Sequence, residues 1–89
     1  MIRSQITIKH KFGLHARPAA KFVQMVRSFD ANVIVEKDGE RVNGKSIMGL
    51  MMLAISSGET VFVETDGPDE TRARDAIVNF LENGEGEDP

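Results

Sequence analysis

The sequence predicts an α+β fold in which one four-stranded sheet carries three helices on one face and is open to water on the other. The length of 89 residues, with 40% hydrophobic residues, allows a single hydrophobic core. Four segments alternate between apolar and polar positions or are rich in β-branched residues, and three others repeat apolar residues at helical spacing. They follow one another as strand, helix, strand, strand, helix, strand, helix, with no sign of a second domain.

The first strand and the first helix occupy the N-terminal third. Ile2, Ile6 and Ile8 alternate with polar residues, which is typical of a strand with one face in water. After a turn at Gly13, apolar residues recur every three or four positions from Ala16 to about residue 29. Pro18 is compatible with this helix because it falls in the first turn, where the missing N–H is tolerated. We therefore expect the helix to begin immediately after His15.

The middle of the chain predicts a hairpin followed by a short helix. Residues 32–37 are rich in β-branched side chains, and Asp38-Gly39 is a strong two-residue turn signal, so that residues 41–43 return as the partner strand. Ser46 then takes the N-cap position of an apolar helix over residues 47–54. Residues 39–46 also match the phosphate-binding loop pattern GxxxxGK[ST]. We favour the hairpin, because the turn already uses Gly39 and Glu40 would bring a carboxylate toward the phosphates.

The C-terminal part predicts one more strand and one more helix. Residues 60–65 read as the fourth strand, and Gly67-Pro68-Asp69 opens a helix whose apolar residues between 73 and 81 share one face. The single domain is expected to cover residues 1–82. Residues 83–89 are glycine-rich and acidic and cannot bury apolar area, so we expect a disordered tail there.

Composition and charge narrow the possible functions. Residues 1–27 contain six Lys or Arg and no acidic residue, so this third attracts anions although the whole chain has a net charge of -3. Without cysteine the chain has no disulfide, thiolate metal site or cysteine nucleophile, and we expect neither a metal nor a cofactor. The longest apolar run, residues 47–55, is about half the length needed to cross a bilayer, and the N-terminus does not resemble a signal peptide. We therefore expect a cytoplasmic protein that is not inserted into a membrane.

The strongest candidate site surrounds His15. Gly13 supplies a turn, His15 stands at the start of the predicted helix, and Arg17 follows two residues later. The free N–H groups and the positive dipole end of a helix N-terminus favour a phosphate, and a guanidinium can hold two of its oxygens. A neutral imidazole there could attack a phosphoryl donor and carry the group itself. A solvated surface histidine is the plainer alternative for His15, and for His10 solvent exposure at a strand end is the only interpretation we favour.

Two long motifs stand out in the sequence, GLHARPAA at residues 13–20 and GKSIMGLMML at residues 44–53. Together with the order of elements they resemble the HPr family, the phosphocarriers of the bacterial phosphoenolpyruvate-dependent phosphotransferase system, and the resemblance extends from residue 1 to about residue 82. It implies an HPr-like open-faced sandwich with an antiparallel sheet in the order 1-4-2-3. It also implies that His15 accepts phosphate on Nδ1 from enzyme I and passes it to IIA proteins, while Arg17 stabilises the phosphoryl group. Such a protein is a monomeric, stoichiometric carrier rather than an enzyme.

The resemblance also implies regulatory and docking residues. Ser46 matches the regulatory serine of the family, which adds an HPr serine kinase to the expected partners. The predicted helix over residues 47–54 is apolar on every side, so a domain with one sheet cannot bury it completely. Leu50 and Leu53 fit the core side of this helix. The expected partner-binding residues are Leu14, Pro18, Lys21, Ile47, Met48 and Met51. Phe12 departs from the family pattern of a small residue at that position, and a phenyl ring offers no hydrogen bond to a phosphate.

Two other functions compete with sugar phosphotransfer. The nitrogen-branch regulatory phosphocarrier NPr shares the same chemistry. A nucleic-acid-binding α+β domain could use the basic residues 1–27, but it is disfavoured because the chain has five Phe and neither Trp nor Tyr for base stacking, lacks a GXXG clamp and is otherwise acidic. We therefore expect no nucleic-acid partner.

Overall fold

The chain folds in the predicted order of elements. The computed structural model describes residues 1–86, and residues 87–89 lie outside it. In chain order the elements are β1 (Ile2–Thr7), α1 (Ala16–Val26), β2 (Asn32–Lys37), β3 (Glu40–Asn43), α2 (Ile47–Met52), β4 (Thr60–Asp66) and α3 (Glu70–Glu82). Within residues 1–86, no helix combines the length and the apolar character that crossing a membrane would need.

The four strands form one antiparallel sheet in the order β1-β4-β2-β3, which confirms the order implied by the family resemblance. β4 lies between β1 and β2, and its Val63 is opposite Val35 of β2. Alternate residues of the strands are buried beneath the helices, including Val61 and Val63, whereas Phe62 and Glu64 lie on the other face. The predicted sandwich with one helical face and one open face is therefore confirmed.

The core lies between the sheet and the three helices. Its buried side chains from the helices include Phe22 and Val26 of α1, Leu50 of α2, and Ile77 of α3. The ring of Phe22 contacts that of Phe80 edge-on, with centroids 5.7 Å apart. α1 and α2 also pack against each other. The loop before α1 is bonded to the segment after α2, because the N–H of Leu14 donates to the carbonyl of Ile55.

Two helices end earlier than the sequence pattern predicts. α1 stops at Val26 rather than near residue 29, because the N–H of Ser28 and of Phe29 bond three residues back and tighten the chain into turns. α2 stops at Met52 rather than residue 54, because Ala54 adopts a left-handed conformation with φ 49°. In both cases the apolar periodicity continues past the last helical hydrogen bond, and periodicity alone cannot mark that point.

The prediction for His10 is wrong: its side chain is completely buried. Its ring lies 5.4 Å from that of Phe80, and Nε2 donates a hydrogen bond to the carbonyl oxygen of Glu85. The neighbouring Lys9 N–H donates to the carbonyl of Leu81 at 3.1 Å. The end of α3 and the turns after it therefore cover the residues that follow β1.

The first residues of the predicted disordered tail make defined contacts with the domain. Residues 83–86 form turns, and the N–H of Glu85 donates to the carbonyl of Phe80 at 2.9 Å. Gly86 lies close to the side chains of Phe80 and Lys21. A Cβ atom added at Gly86 would be 3.0 Å from Phe80 and 3.3 Å from Lys21. Backbone hydrogen bonds and the contact with His10 hold this segment although it contributes almost no apolar area. The remainder of the predicted tail, residues 87–89, lies outside the described residues.

Candidate functional site

His15 stands immediately before α1, as the sequence predicts. Its backbone is extended, with φ -75° and ψ -174°, and its carbonyl accepts the N–H of Ala19 at 3.0 Å. The imidazole makes no capping hydrogen bond to the helix and is exposed. The first turn of α1 contains no acidic residue. The side chain is therefore available to an incoming group at the positive end of a helix.

The loop that carries His15 is anchored on both sides. Gly13 has φ +75°, and its N–H donates to the carbonyl of His10 at 3.0 Å. The N–H of Leu14 donates to the carbonyl of Ile55 at 2.9 Å. Any side chain at Gly13 would clash with Ile55, so glycine is required there by space as well as by conformation. These contacts fix the His15 loop to the segment that follows α2.

The ring of Phe12 lies beside His15, and basic residues are close to His15 in the chain. Arg17 and Lys21 are exposed on α1, and Arg17 is two residues from His15 as the sequence requires. The ring of Phe12 is T-shaped to that of His15, with centroids 6.3 Å apart and an angle of 74°. Lys11 Nζ lies 5.4 Å from the centroid of the Phe12 ring. An anion at His15 would thus meet positive charge and one large apolar ring.

The exposed arc of α2 is the one predicted from sequence. Leu50 and Leu53 are buried, whereas Ile47, Met48 and Met51 are 43%, 75% and 41% exposed. Met52, which the sequence analysis did not single out, is 70% exposed as well. We call Ile47, Met48, Met51 and Met52 the apolar α2 surface. It is made largely of flexible methionines, which can adapt to differently shaped partners.

Ser46 has the predicted capping role. Its Oγ accepts a hydrogen bond from the N–H of Gly49 at 3.0 Å, and α2 begins at the next residue, Ile47. The side chain is half-buried. Ser46 is therefore directly adjacent to the apolar α2 surface while it stabilises the helix that carries this surface.

Two of the residues expected to contact partners are not on the surface. Leu14 is only 4% exposed and belongs to the hydrophobic core, and Pro18 is buried on the inner side of α1. Both lie next to exposed site residues, His15 and Arg17, and fix the backbone beneath them. They can support a docking surface from below, but they offer almost no area to a partner.

The residues that match the nucleotide-binding pattern form a hairpin instead. Asp38 and Gly39 have φ 52° and 82° and connect β2 to β3. Lys37 at the end of β2 is opposite Glu40 at the start of β3. The hairpin interpretation is therefore confirmed for these residues.

An ion-pair network that the sequence analysis missed lies on the open face of the sheet. Arg41 contacts Glu64 at 2.8 Å and Glu36 at 2.9 Å, and Arg3 contacts Glu64 at 2.7 Å. The hydrogen bond from Arg41 lowers the pKa of Glu64 to about 2, although partial burial opposes this shift and Arg3 adds to it. The same pairing raises the pKa of Arg41. The four residues come from four strands, so only the sheet order brings them together.

Comparisons with known proteins point to one family. The family model described as "PTS HPr component phosphorylation site" matches residues 2–83. The chain is 51% identical over 82 residues to the HPr-like protein Crh of Halalkalibacterium halodurans, covering 92% of this chain and 98% of that protein. It is 48% identical over 89 residues to the phosphocarrier protein HPr of Cupriavidus necator, covering 98% and 100% of the two chains.

Solved structures agree with these sequence relatives. The crystal structure of HPr-C-His from Thermoanaerobacter tengcongensis superposes with a TM-score of 0.93 at 47% identity, and each chain is covered completely. The crystal structure of an HPr dimer from the same organism gives a TM-score of 0.77 at 48% identity, covering 98% and 100% of the two chains. The dimer is a property of that protein, and the predicted monomer stays a prediction for this one.

Proposed function

The chain belongs to the HPr family of phosphocarrier proteins of the phosphotransferase system, and we propose that it carries a phosphoryl group on His15. In this proposal His15 accepts the group from phosphorylated enzyme I and passes it to IIA proteins of the sugar phosphotransferase system. In this role the protein is a stoichiometric, cytoplasmic carrier rather than an enzyme, because each molecule is itself converted to its phosphorylated form and back. We further propose that it acts as a monomer.

The observation that carries the proposal is the exposed imidazole of His15 at the start of α1, which makes no capping hydrogen bond to the helix. In the transfer step the lone pair of Nδ1 attacks phosphorus, and a new P–N bond forms. The bond from phosphorus to the donor atom breaks, and its electron pair remains on the donor. Such a transition state carries its charge on the equatorial phosphoryl oxygens, so positive groups aimed at them accelerate the step.

Arg17 is the residue best suited to stabilise those oxygens. It lies on the first turn of α1, two residues from His15, and its guanidinium can donate two parallel hydrogen bonds to a phosphoryl group. The helix dipole and the N–H groups of the first turn add positive potential at the same place. This arrangement supports an assignment of His15 as the phosphorylated residue and Arg17 as its stabilising partner.

We propose that the apolar α2 surface, together with Lys21, forms the docking surface for enzyme I and IIA proteins. α2 packs against α1, which begins immediately after His15, and four large apolar side chains of α2 are exposed. Exposed apolar patches of this kind are a common feature of protein-binding surfaces. The basic residues of positions 1–27 favour an acidic partner surface and faster association.

Ser46 is the proposed site of regulation by an HPr serine kinase. A phosphate on Ser46 would add about two negative charges next to Ile47 and Met48. Those charges would have to lose water when the apolar α2 surface docks, so docking would weaken while the domain stays folded.

The test is phosphorylation of the purified protein by enzyme I and phosphoenolpyruvate, followed by intact-mass measurement. We expect the mass of one phosphoryl group to be added and to be lost in acid, as a phosphoramidate requires. His15→Gln is the decisive variant, since glutamine cannot form this linkage, and the buried His10 remains in it as an internal control. Equal labelling of His15→Gln would refute the proposal.

The branch of the phosphotransferase system is tested in the same assay. The nitrogen-branch carrier NPr is the alternative that shares this chemistry, and the chain is also 51% identical to an HPr-like protein Crh. Parallel reactions with the sugar-branch and the nitrogen-branch enzyme I distinguish a sugar-branch carrier from NPr. We expect faster labelling by the sugar-branch enzyme, and preference for the nitrogen-branch enzyme would reassign the protein to that branch.

A further inference from the structure

Phe12 is the largest exposed apolar side chain beside His15. It is 74% exposed, although transfer of a phenyl ring out of water is favourable. Its ring centroid lies 6.3 Å from that of His15, and Lys11 Nζ lies 5.4 Å from the Phe12 centroid on the same turn. The phosphoryl relay assigns no role to this ring.

Phosphoryl transfer requires any protein donor to cover Phe12. The reacting atoms must approach to about 3–3.5 Å, so the donor surface is brought into contact with the surroundings of His15. A standard interface covers roughly 800 Å² on each partner, a disc of about 16 Å radius. A ring 6.3 Å from the His15 ring therefore lies near the centre of that disc. Residues that dominate binding cluster at the centre of interfaces and are often aromatic.

The backbone that follows Phe12 is already fixed in the free protein. The N–H of Gly13 bonds to His10, the N–H of Leu14 bonds to Ile55, and the Leu14 side chain is in the core. Because docking does not have to order this loop, little of the contact energy of Phe12 is lost to entropy.

We propose that Phe12 is a specificity-determining residue of phosphotransfer, an aromatic anchor that enters an apolar recess of enzyme I beside its phosphorylated group. The neighbouring Lys11 fits a carboxylate at the rim of that recess. This inference rests on the proposed relay through His15 and adds the residue that selects the donor. Because the anchor is bound equally before and during transfer, it affects KM and leaves kcat unchanged.

The experiment measures initial rates of phosphorylation by enzyme I at increasing concentrations of the protein. Phe12→Ser is expected to raise KM about tenfold or more with kcat unchanged, since hot-spot truncations have effects of this size. Phe12→Leu is expected to restore most of the affinity, because it keeps an apolar side chain of similar volume. The matched control is Phe62→Ser, which removes the same ring from the open face of the sheet, where it contacts Arg3 at 4.3 Å. We expect its KM to equal that of the wild type.

Each outcome decides one claim. An unchanged KM in Phe12→Ser, or a lower kcat at unchanged KM, would overturn the anchor role while the relay through His15 stands. An equal rise of KM in Phe62→Ser would also overturn it, because the effect would then not depend on position. A wild-type protein that enzyme I does not phosphorylate would overturn the proposed function and this inference with it. Melting curves of each variant, including that of the half-buried Phe62, check that the substitutions leave the domain folded.

Discussion

Ser46 combines a structural and a proposed regulatory role, and two substitutions separate them. Ser46→Ala removes the Oγ that accepts the Gly49 N–H at 3.0 Å. Loss of such an N-cap costs about 1 kcal/mol. For a domain of this size, 1 kcal/mol corresponds to a fall in Tm of about 5 °C. Because α2 has only six residues, loss of its N-cap should destabilise the whole helix.

Ser46→Asp has the opposite pattern of effects. An aspartate keeps an acceptor oxygen at the N-cap and adds a charge that the helix dipole favours, so Tm should stay closer to wild type than in Ser46→Ala. The same charge stands next to Ile47 and must be desolvated when the apolar α2 surface docks. We therefore expect Ser46→Asp to raise the KM for phosphorylation by enzyme I several-fold and to leave kcat unchanged.

The assay pairs thermal unfolding with phosphorylation kinetics on the three proteins. The reasoning requires that Ser46→Ala be the less stable variant and Ser46→Asp the poorer substrate. If the aspartate variant stays slow at saturating protein concentration, Ser46 acts on the chemical step rather than on docking. If Ser46→Asp loses more stability than Ser46→Ala, the capping geometry described for this residue is wrong.

Three further predictions concern other parts of the molecule. His10→Ala should lower the free energy of unfolding by about 2–5 kcal/mol in urea titrations, since it removes a fully buried ring and leaves the Glu85 carbonyl without its donor. Glu64→Gln should lower stability at neutral pH: the folded pKa of Glu64 is about 2 against an ordinary 4.5, so its stabilisation is present above pH 4.5 and is lost as pH falls toward 2, where wild type and variant should converge. Arg17→Ala should slow phosphotransfer about tenfold to a hundredfold while Tm stays nearly unchanged, with Arg17→Lys intermediate; equal losses of rate and stability would give Arg17 a structural role instead.

Elements defined by local signals could be predicted from the sequence. The bounds of β2 agree at both ends, because β-branched residues run up to the strong turn signal Asp38-Gly39. The start of α1 and the cap of α2 were also located correctly, since Pro18 and Ser46 are compatible with only a few helix positions. The exposed arc of α2 could be predicted because a domain with one sheet cannot cover every side of a helix that is apolar all round.

Features that depend on contacts distant in the sequence could not be predicted. His10 is buried because a turn 75 residues later supplies its hydrogen-bond partner, and no local pattern indicates such a contact. From its position beside His15, Leu14 was expected on the surface. Its N–H instead bonds to the carbonyl of Ile55, and its side chain is buried in the core. The network around Glu64 needs the strand order as well as the register before its charges meet.

The exposure of His15 has an energetic consequence for a carrier. A protein that receives a phosphoryl group and passes it on must not stabilise the phosphorylated state strongly, because every 1.4 kcal/mol of extra stabilisation shifts the onward equilibrium tenfold. A buried pocket with several convergent donors would hold the phosphate tightly. His15 instead lies on the surface beside Arg17 and a helix N-terminus, whereas the rigid parts of the site, Gly13 and Leu14, are bonded away from the imidazole. In the proposed relay, the fold thus fixes the position of the histidine without enclosing the phosphoryl group, and selectivity is left to the surfaces that dock around it.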